Sequence, residues 1–291
     1  MYKEVAFDPT CMAYMEYYGL VTQHFGFDNG RYIAADFKAW AREAMIHVKD
    51  SGLQPIKQQS IKNYLNKLAR SKYHEEFILT EDRKGVKVEE WRQWWKEQRK
   101  TREFSITISE SAGDGCINID QINDGCIEWN VSPSISVKRY KVQDIVNALL
   151  PLAVISKDIT IIDQYFRLAD NPVLVQLFKH LTNFPVRKLR IMTSMDTVDA
   201  SRVYEQNYCH LNTQPIDFEW IKAPDKFFHD RYFISNIGAI RSGQGFMTEV
   251  KKGTHADLAN LNIISRDEAD RTIRDLEELL ASGRAIQELK V

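Results

Sequence analysis

No run of apolar residues in this 291-residue chain is long enough to cross a bilayer. The longest, around NALLPLAVI within 145–155, is half the length a spanning helix needs. The chain opens with no charged n-region followed by an apolar h-region, so no secretory leader is expected. Cysteine is scarce: Cys11, Cys116, Cys126 and Cys209 form no CxxC pair, and no spacing matches a zinc site. The expectation is four reduced thiols, no disulfide, no metal and no cofactor, in a cytoplasmic protein.

Acid is missing from one place in particular. The segment QPIKQQSIKNYLNKLARSKY, residues 54–73, carries five basic residues and no Asp or Glu. The net charge of −1 hides this asymmetry, because residues 1–105 hold 18 Lys and Arg against 15 Asp and Glu, and the remainder holds 21 against 25. Length suggests two domains, and 44% hydrophobic with 27% charged residues is ordinary globular composition.

Residues 9–25 and 33–50 carry apolar side chains at helical spacing, the second segment ending before Ser51-Gly52. The basic segment reads as a third helix, with Ile61, Tyr64, Leu65 and Leu68 on one stripe and Gln58, Lys62, Asn63, Asn66, Lys67 and Arg70 exposed. FILTEDRKGVKVE, residues 77–89, alternates about a turn at Asp82–Gly85 and predicts a hairpin. Helix, helix, basic helix, hairpin is a winged-helix order, which predicts a mainly α, DNA-binding domain over residues 1–103. Gln and Asn suit adenine edges, Lys and Arg suit guanine or phosphate, and Arg83, Lys84 and Lys87 would lie along the backbone from the wing. The alternative is a solvated helix face or a protein-contact module. EEWRQWWKEQRK, 89–100, predicts a tryptophan-rich helix closing this domain.

Texture changes at residue 104. FSITIS and the near repeat DGCINI (114–119) and DGCIEW (124–129) predict consecutive strands turned at Asp-Gly, a β-rich connector over 104–139. From 140 to 291 strand and helix patterns alternate: helix 141–153, strand 159–163, helix 172–182, strand 188–194, helix 198–208, strand 218–223, the hairpin FFHDRYFISNIGAIRSGQGF (227–246) and helix 267–281. The fold class is therefore α/β with helices on the faces of a largely parallel sheet. Ligands gather at the carboxyl ends of such strands, where Asp163, Thr193, Ser194 and the turn 222–225 would stand.

Three separated motifs in order, IIDQYF (161–166), His229-Asp230-Arg231 and Gly243-Gln244-Gly245-Phe246, resemble the phospholipase D-like domain of the MIT C-terminal type over roughly 140–281. The resemblance puts His229 in the place of the nucleophilic histidine, Arg231 in that of the phosphate-binding lysine, Asn236 in that of the aspartate, and Gly243 and Gln244 in that of Gly-Ser. Ser194 joins the phosphate-binding set, with Asp163 and Asp230 supporting. Arg231 can still hold a phosphate bidentately, whereas Asn236 supplies no charge to a histidine nucleophile. With a single motif per chain, a complete site implies a homodimer or a partner protein. The resemblance implies a degenerate domain that binds a phosphate group or a partner. Three alternatives stay open: a metal-independent homodimeric nuclease acting through His229, a structural adaptor of a bacterial defence or mobile-element complex, and a plain salt-bridge network of His229, Arg231 and Asp163 pinning the sheet.

Overall fold

In a computed structural model, the structure describes residues 1–291 except 87–89, 112–114, 226 and 254–256. The chain divides into two compact units, Tyr2–Val131 and Ser132–Val291, the second taking in Met1 as well. Among the described residues no helix is long and apolar enough to cross a membrane.

The N-terminal unit is built on parallel strands. β1 (Lys3–Phe7), α1 (Met15–His24), β2 (Arg31–Ala34), α2 (Phe37–Lys49), α3 (Pro55–Arg70), β3 (Phe77–Ile78), α4 (Trp91–Thr101), β4 (Ile106–Ile108), β5 (Cys116–Ile117) and α5 (Ile119–Asn123) follow in order. The sheet order is β3-β2-β1-β4-β5, with every neighbouring pair parallel. The chain thus winds outward from β1 on one side, then returns to lay β4 on the other. The stretches VAF of β1 and YIA of β2 are buried on both faces, which is why they are unbroken apolar runs rather than alternating ones. Helices cover them: Trp40 of α2 donates its indole N–H to the Phe7 carbonyl at 2.7 Å, and Asp36 caps α2 by accepting from the amides of Lys38 and Ala39.

This unit corrects the winged-helix expectation. The segment 77–89 forms no hairpin within its described part, because Phe77 and Ile78 pair in parallel with Ile33 and Ala34 of β2. Glu81–Arg83 then turns into a 3-10 helix, since Arg83 is drawn inward onto the Glu4 carboxylate; residues 87–89 lie outside the described residues. The helix predicted from residue 33 starts at Phe37, the preceding apolar residues being β2. The connector predicted over 104–139 dissolves. β4 pairs with β1 and belongs to the N-terminal sheet, so the unit boundary falls after residue 131 rather than at 103 and 139. Of the near repeat, Cys116-Ile117 is a strand, but Asn118 and Gln121 form a reciprocal cap that starts α5, and residues 127–129 are turn.

The C-terminal unit contains β6 (Ser134–Lys138), α6 (Val142–Ala153), β7 (Asp158–Ile162), α7 (Pro172–Leu181), β8 (Lys188–Thr193), α8 (Ala200–Asn207), β9 (Asp217–Lys222), β10 (Arg231–Ser235), β11 (Gly238–Ser242), β12 (Leu258–Ile263), α9 (Arg266–Ala281) and β13 (Ile286–Lys290). Its sheet runs β13-β9-β8-β7-β10-β11-β12-β6. β7, β8 and β9 are mutually parallel, and the remaining neighbours pair antiparallel, so the sheet is mixed rather than largely parallel. The helices and strands predicted between 141 and 281 are found within a residue or two of their expected bounds. β6, β12 and β13 are additions at the sheet edges.

Glu219 of β9 is a buried carboxylate held by Lys188 and Arg190 at 3.0 and 2.9 Å. Burial pushes its pKa up, but hydrogen bonds from Lys188 and Arg190 and their charges more than offset this, leaving the carboxyl below its ordinary range. A depressed carboxyl stabilises the fold above its unfolded pKa and loses that contribution as pH falls through the folded one. Urea midpoints measured down the acid limb should therefore drop, and Glu219→Gln should flatten that drop; an unchanged acid limb in the variant overturns the assignment.

Candidate phosphate-binding site and basic helix

β10 and β11 form the predicted hairpin, with Arg231 opposite Ser242 and Ser235 opposite Gly238. Because β10 runs antiparallel to β7, the start of β10 and the end of β7 share one end of the sheet. That geometry brings Arg231 to Asp163. Asp163 is buried; its Oδ1 accepts the Tyr165 amide at 3.0 Å and its Oδ2 accepts the Phe246 amide at 2.8 Å. One carboxylate thus ties the end of β7 to the loop after β11. Burial pushes its pKa above the ordinary carboxylate value, and the two amide donors, then Arg231 and Arg139, pull it back only in part.

Arg231 donates through Nη1 to the carbonyls of Gly243 at 2.7 Å and His229 at 3.1 Å, with its guanidinium 5.3 Å from the Tyr165 ring centre. Its Nε stands 4.0 Å from Asp163 Oδ1, too far for a hydrogen bond, and is buried without an acceptor. Arg139, which follows β6, reaches the same loop: Nη2 donates to the Gln244 carbonyl at 3.4 Å and pairs with Glu249, while its Nε is also buried and unmet. Two partly satisfied guanidiniums therefore approach one loop. Such a pair can receive an anion, provided the anion replaces the loop carbonyls or meets the donors they leave over.

The sequence-derived residues divide sharply. Arg231, Asp163, Gly243 and Gln244 come together, with the carbonyls of Gly243 and Gln244 facing the arginines and the Gln244 amide turned to Ser242 Oγ at 3.2 Å. Ser194 stands at the carboxyl end of β8, but its hydroxyl donates to the Pro224 carbonyl at 3.1 Å. Among the described residues His229 takes no part in a network with Arg231 and Asp163 through its side chain, which is 98% exposed and meets the Asp230 carboxylate at 3.4 Å. Asp230 leans toward Arg241 at 3.8 Å, and Arg241 pairs with Glu268. Asn236 is a correction: it sits in the β10–β11 turn, accepting from the amides of Lys157 and Asp158 at 2.9 and 3.4 Å. It lies at the far end of β10 from Arg231, roughly 16 Å away at the usual rise per residue. It cannot orient His229. Arg139, Tyr165 and Glu249 were not legible as site residues, because only the register of β6, β7 and β12 brings those distant segments to one sheet end.

In the N-terminal unit, α3 buries Ile61, Leu65 and Leu68 and exposes Asn63, Asn66, Lys67 and Arg70, as its pattern predicts. Gln58 donates to the Lys49 carbonyl at 3.2 Å, Lys62 donates to Gln58, and Gln59 donates to Asn63 at 2.8 Å. The wing assignments fail. Arg83 is fully buried against Glu4, Lys84 pairs with Glu81 at 2.6 Å, and Lys87 lies outside the described residues. Among the described residues no three His, Cys, Asp or Glu side chains gather as a metal site. Compared with known proteins, the chain matches no family model and no curated protein.

Proposed function

We propose that this is a nucleic-acid-binding protein that grips the phosphate backbone through the exposed face of α3, and whose C-terminal unit holds a phosphate group at the Arg231 and Arg139 end of its sheet. The observation that carries this reading is electrostatic. Lys57, Lys67 and Arg70 on α3 and Lys72 just after it make no ion pair and no side-chain hydrogen bond among the described residues, in a segment that contains no acid. Cations left without internal partners gain most from phosphates, because each contact releases condensed counterions. α3 is a crossover helix packed on α2, not one presented ahead of a wing, so the contact is to backbone rather than to base edges. Support for the C-terminal half of the proposal comes from the resemblance to phospholipase D-like domains and from the convergence of the Arg231 and Arg139 guanidiniums on the loop of Gly243 and Gln244.

Fluorescence anisotropy of the full-length protein on duplex DNA tests the reading. Binding should weaken log-linearly with salt, and Lys67→Ala with Arg70→Ala should flatten that slope by about 0.9 per lost contact. Salt-insensitive binding, or an unchanged slope in the double variant, removes the α3 proposal. Arg231→Lys, which keeps the charge and loses the fork, should leave DNA affinity intact but abolish thermal protection by inorganic phosphate. Absence of protection in the parent protein removes the C-terminal half.

A further inference from the structure

Three residues past the end of α3, Tyr73 is 64% exposed. Its side chain makes no hydrogen bond, ion pair or ring contact among the described residues. The other exposed tyrosine of the N-terminal unit, Tyr14, lies edge-on against Tyr17 with ring centres 6.2 Å apart. Tyr73 is nonetheless held in place by its neighbours. The Ser71 amide donates to the carbonyls of Lys67 and Leu68, each at 3.1 Å, and the His74 ring packs edge-on against Tyr64 of α3 and Phe77 of β3, at 5.7 and 6.0 Å. With the backbone tied on both sides, the ring is presented to a ligand at little further cost in conformational entropy.

The ring stands at the end of a cationic track. Gln59, Asn63, Asn66, Lys67 and Arg70 recur at helical spacing on the outward face of α3, which with 16 residues is about 24 Å long. Lys72 adjoins Tyr73, and Arg70 lies within about 11 Å of it, the reach of three extended residues. No acid falls within residues 54–73, and Glu76 beyond them is turned to His74, with both side chains mostly covered.

Resting on the reading of α3 given above, we infer that the occupant of this face is single-stranded DNA, its phosphates following Lys67, Arg70 and Lys72 while an unpaired base stacks on Tyr73. A duplex offers the phosphates but keeps its base faces covered by their own stacking, so the free ring gains nothing from it; an unpaired strand answers both the cations and the ring. An acidic peptide would satisfy the cations and bring no flat face to the tyrosine. A ribose 2′-hydroxyl donates and accepts at once, and most side chains of the track that could meet it are engaged: Gln59 donates to Asn63 at 2.8 Å, and Ser60 donates to the Ile56 carbonyl at 3.1 Å. The surface therefore asks for phosphates and a base face, which DNA supplies in full.

Fluorescence anisotropy of the full-length protein with three labelled probes of about 15 nucleotides tests the inference: oligo(dT), the same strand annealed to oligo(dA), and oligo(U). Oligo(dT) should bind about tenfold more tightly than the duplex, the worth of one stacked base, and oligo(U) no more tightly than oligo(dT). Tyr73→Ala should cost oligo(dT) that factor of about ten and bring it level with the duplex, without changing the salt slope, since a stacked base releases no counterion. Tyr73→Phe should keep the preference for the single strand. Lys67→Ala with Arg70→Ala should instead flatten the slope for both DNA probes. Duplex binding with no preference for oligo(dT), oligo(dT) affinity indifferent to Tyr73→Ala, or about tenfold tighter binding of oligo(U) overturns this inference and leaves the α3 reading standing. Binding of none of the three removes that reading, and this inference with it. Because Tyr73 is exposed, Tyr73→Ala should melt with the parent, so that lost affinity is not lost fold.

Discussion

Replacing Glu4 by Ala should cost the N-terminal unit about 3–5 kcal/mol, the usual penalty for leaving a buried charge without its partner. The Glu4 side chain is buried on β1, where its two oxygens receive Arg83 Nε at 2.7 Å and Nη2 at 2.8 Å, and Arg102 Nη1 at 2.6 Å. Arg83 is fully buried as well; it donates further to the carbonyls of Gln98 at 3.1 Å and Arg102 at 3.0 Å, and its guanidinium lies 3.9 Å from the Phe104 ring centre. These contacts tie β1 to the segment after β3 and to the end of α4. Without Glu4 the Arg83 charge stays in the interior with carbonyls alone to balance it. Asp82→Ala should cost only about 1 kcal/mol, because Asp82 meets Arg102 nearer the surface. Urea denaturation followed by tryptophan emission measures both, since five of the six tryptophans lie in this unit. A loss below about 1 kcal/mol for Glu4→Ala would show that water reaches the network and screens it.

Gly245→Ala should cost roughly 3 kcal/mol and abolish phosphate protection, from the left-handed backbone and the steric clash together. Gly245 has φ +87°, a conformation that L side chains rarely adopt, and a Cβ there would stand 2.5 Å from Asp163 Oδ2. Asp163 cannot swing aside cheaply, because that oxygen accepts the Phe246 amide and its mate accepts the Tyr165 amide. The variant must therefore either open the loop from β7 or strain it, and both displace the Gly243 carbonyl that positions Arg231. Gly243→Ala is the control: a Cβ at that position meets nothing within 4 Å, and its φ lies outside the left-handed region. Equal melting temperatures for the parent and Gly245→Ala would mean that the loop holds no defined conformation around Asp163.

Much of the C-terminal unit was legible because its signals are local. Strands such as ITIID and KLRIMTS and the Gly-broken hairpin show their period over a few residues, and Asn171-Pro172 marks the start of α7 by a cap and a proline at the first turn. The N-terminal sheet was not legible for the same reason in reverse. EVAF, YIAA and FI are short and almost wholly buried, so they show no alternation to separate them from helix. A basic helix followed by a short apolar pair then imitates a helix and wing, although the pair is a parallel edge strand.

Sequence alone settled α3, α4 and the helices of the C-terminal unit, the hairpin of β10 and β11, the acid-free basic face of α3, and the proximity of Arg231 to the glycines of its own hairpin, since all of these depend on contacts within a few residues or across one turn; the helix expected over 9–25 instead opens with a 3-10 turn at Pro9–Ala13 and becomes α-helical only from Met15. Tertiary structure decided which charges are free to act. Arg83 and Lys67 are both basic residues in the same third of the chain, yet β1 draws the first into the core against Glu4 and packing on α2 leaves the second in water. Likewise Arg231 opens β10 and Asn236 follows its end in the turn, and the extended backbone between them sends the two to opposite ends of the sheet, while strand register brings Asp163 and Arg139 toward Arg231 from distant segments. Pairing across a sheet is set by the burial of whole faces, which no short window of residues contains.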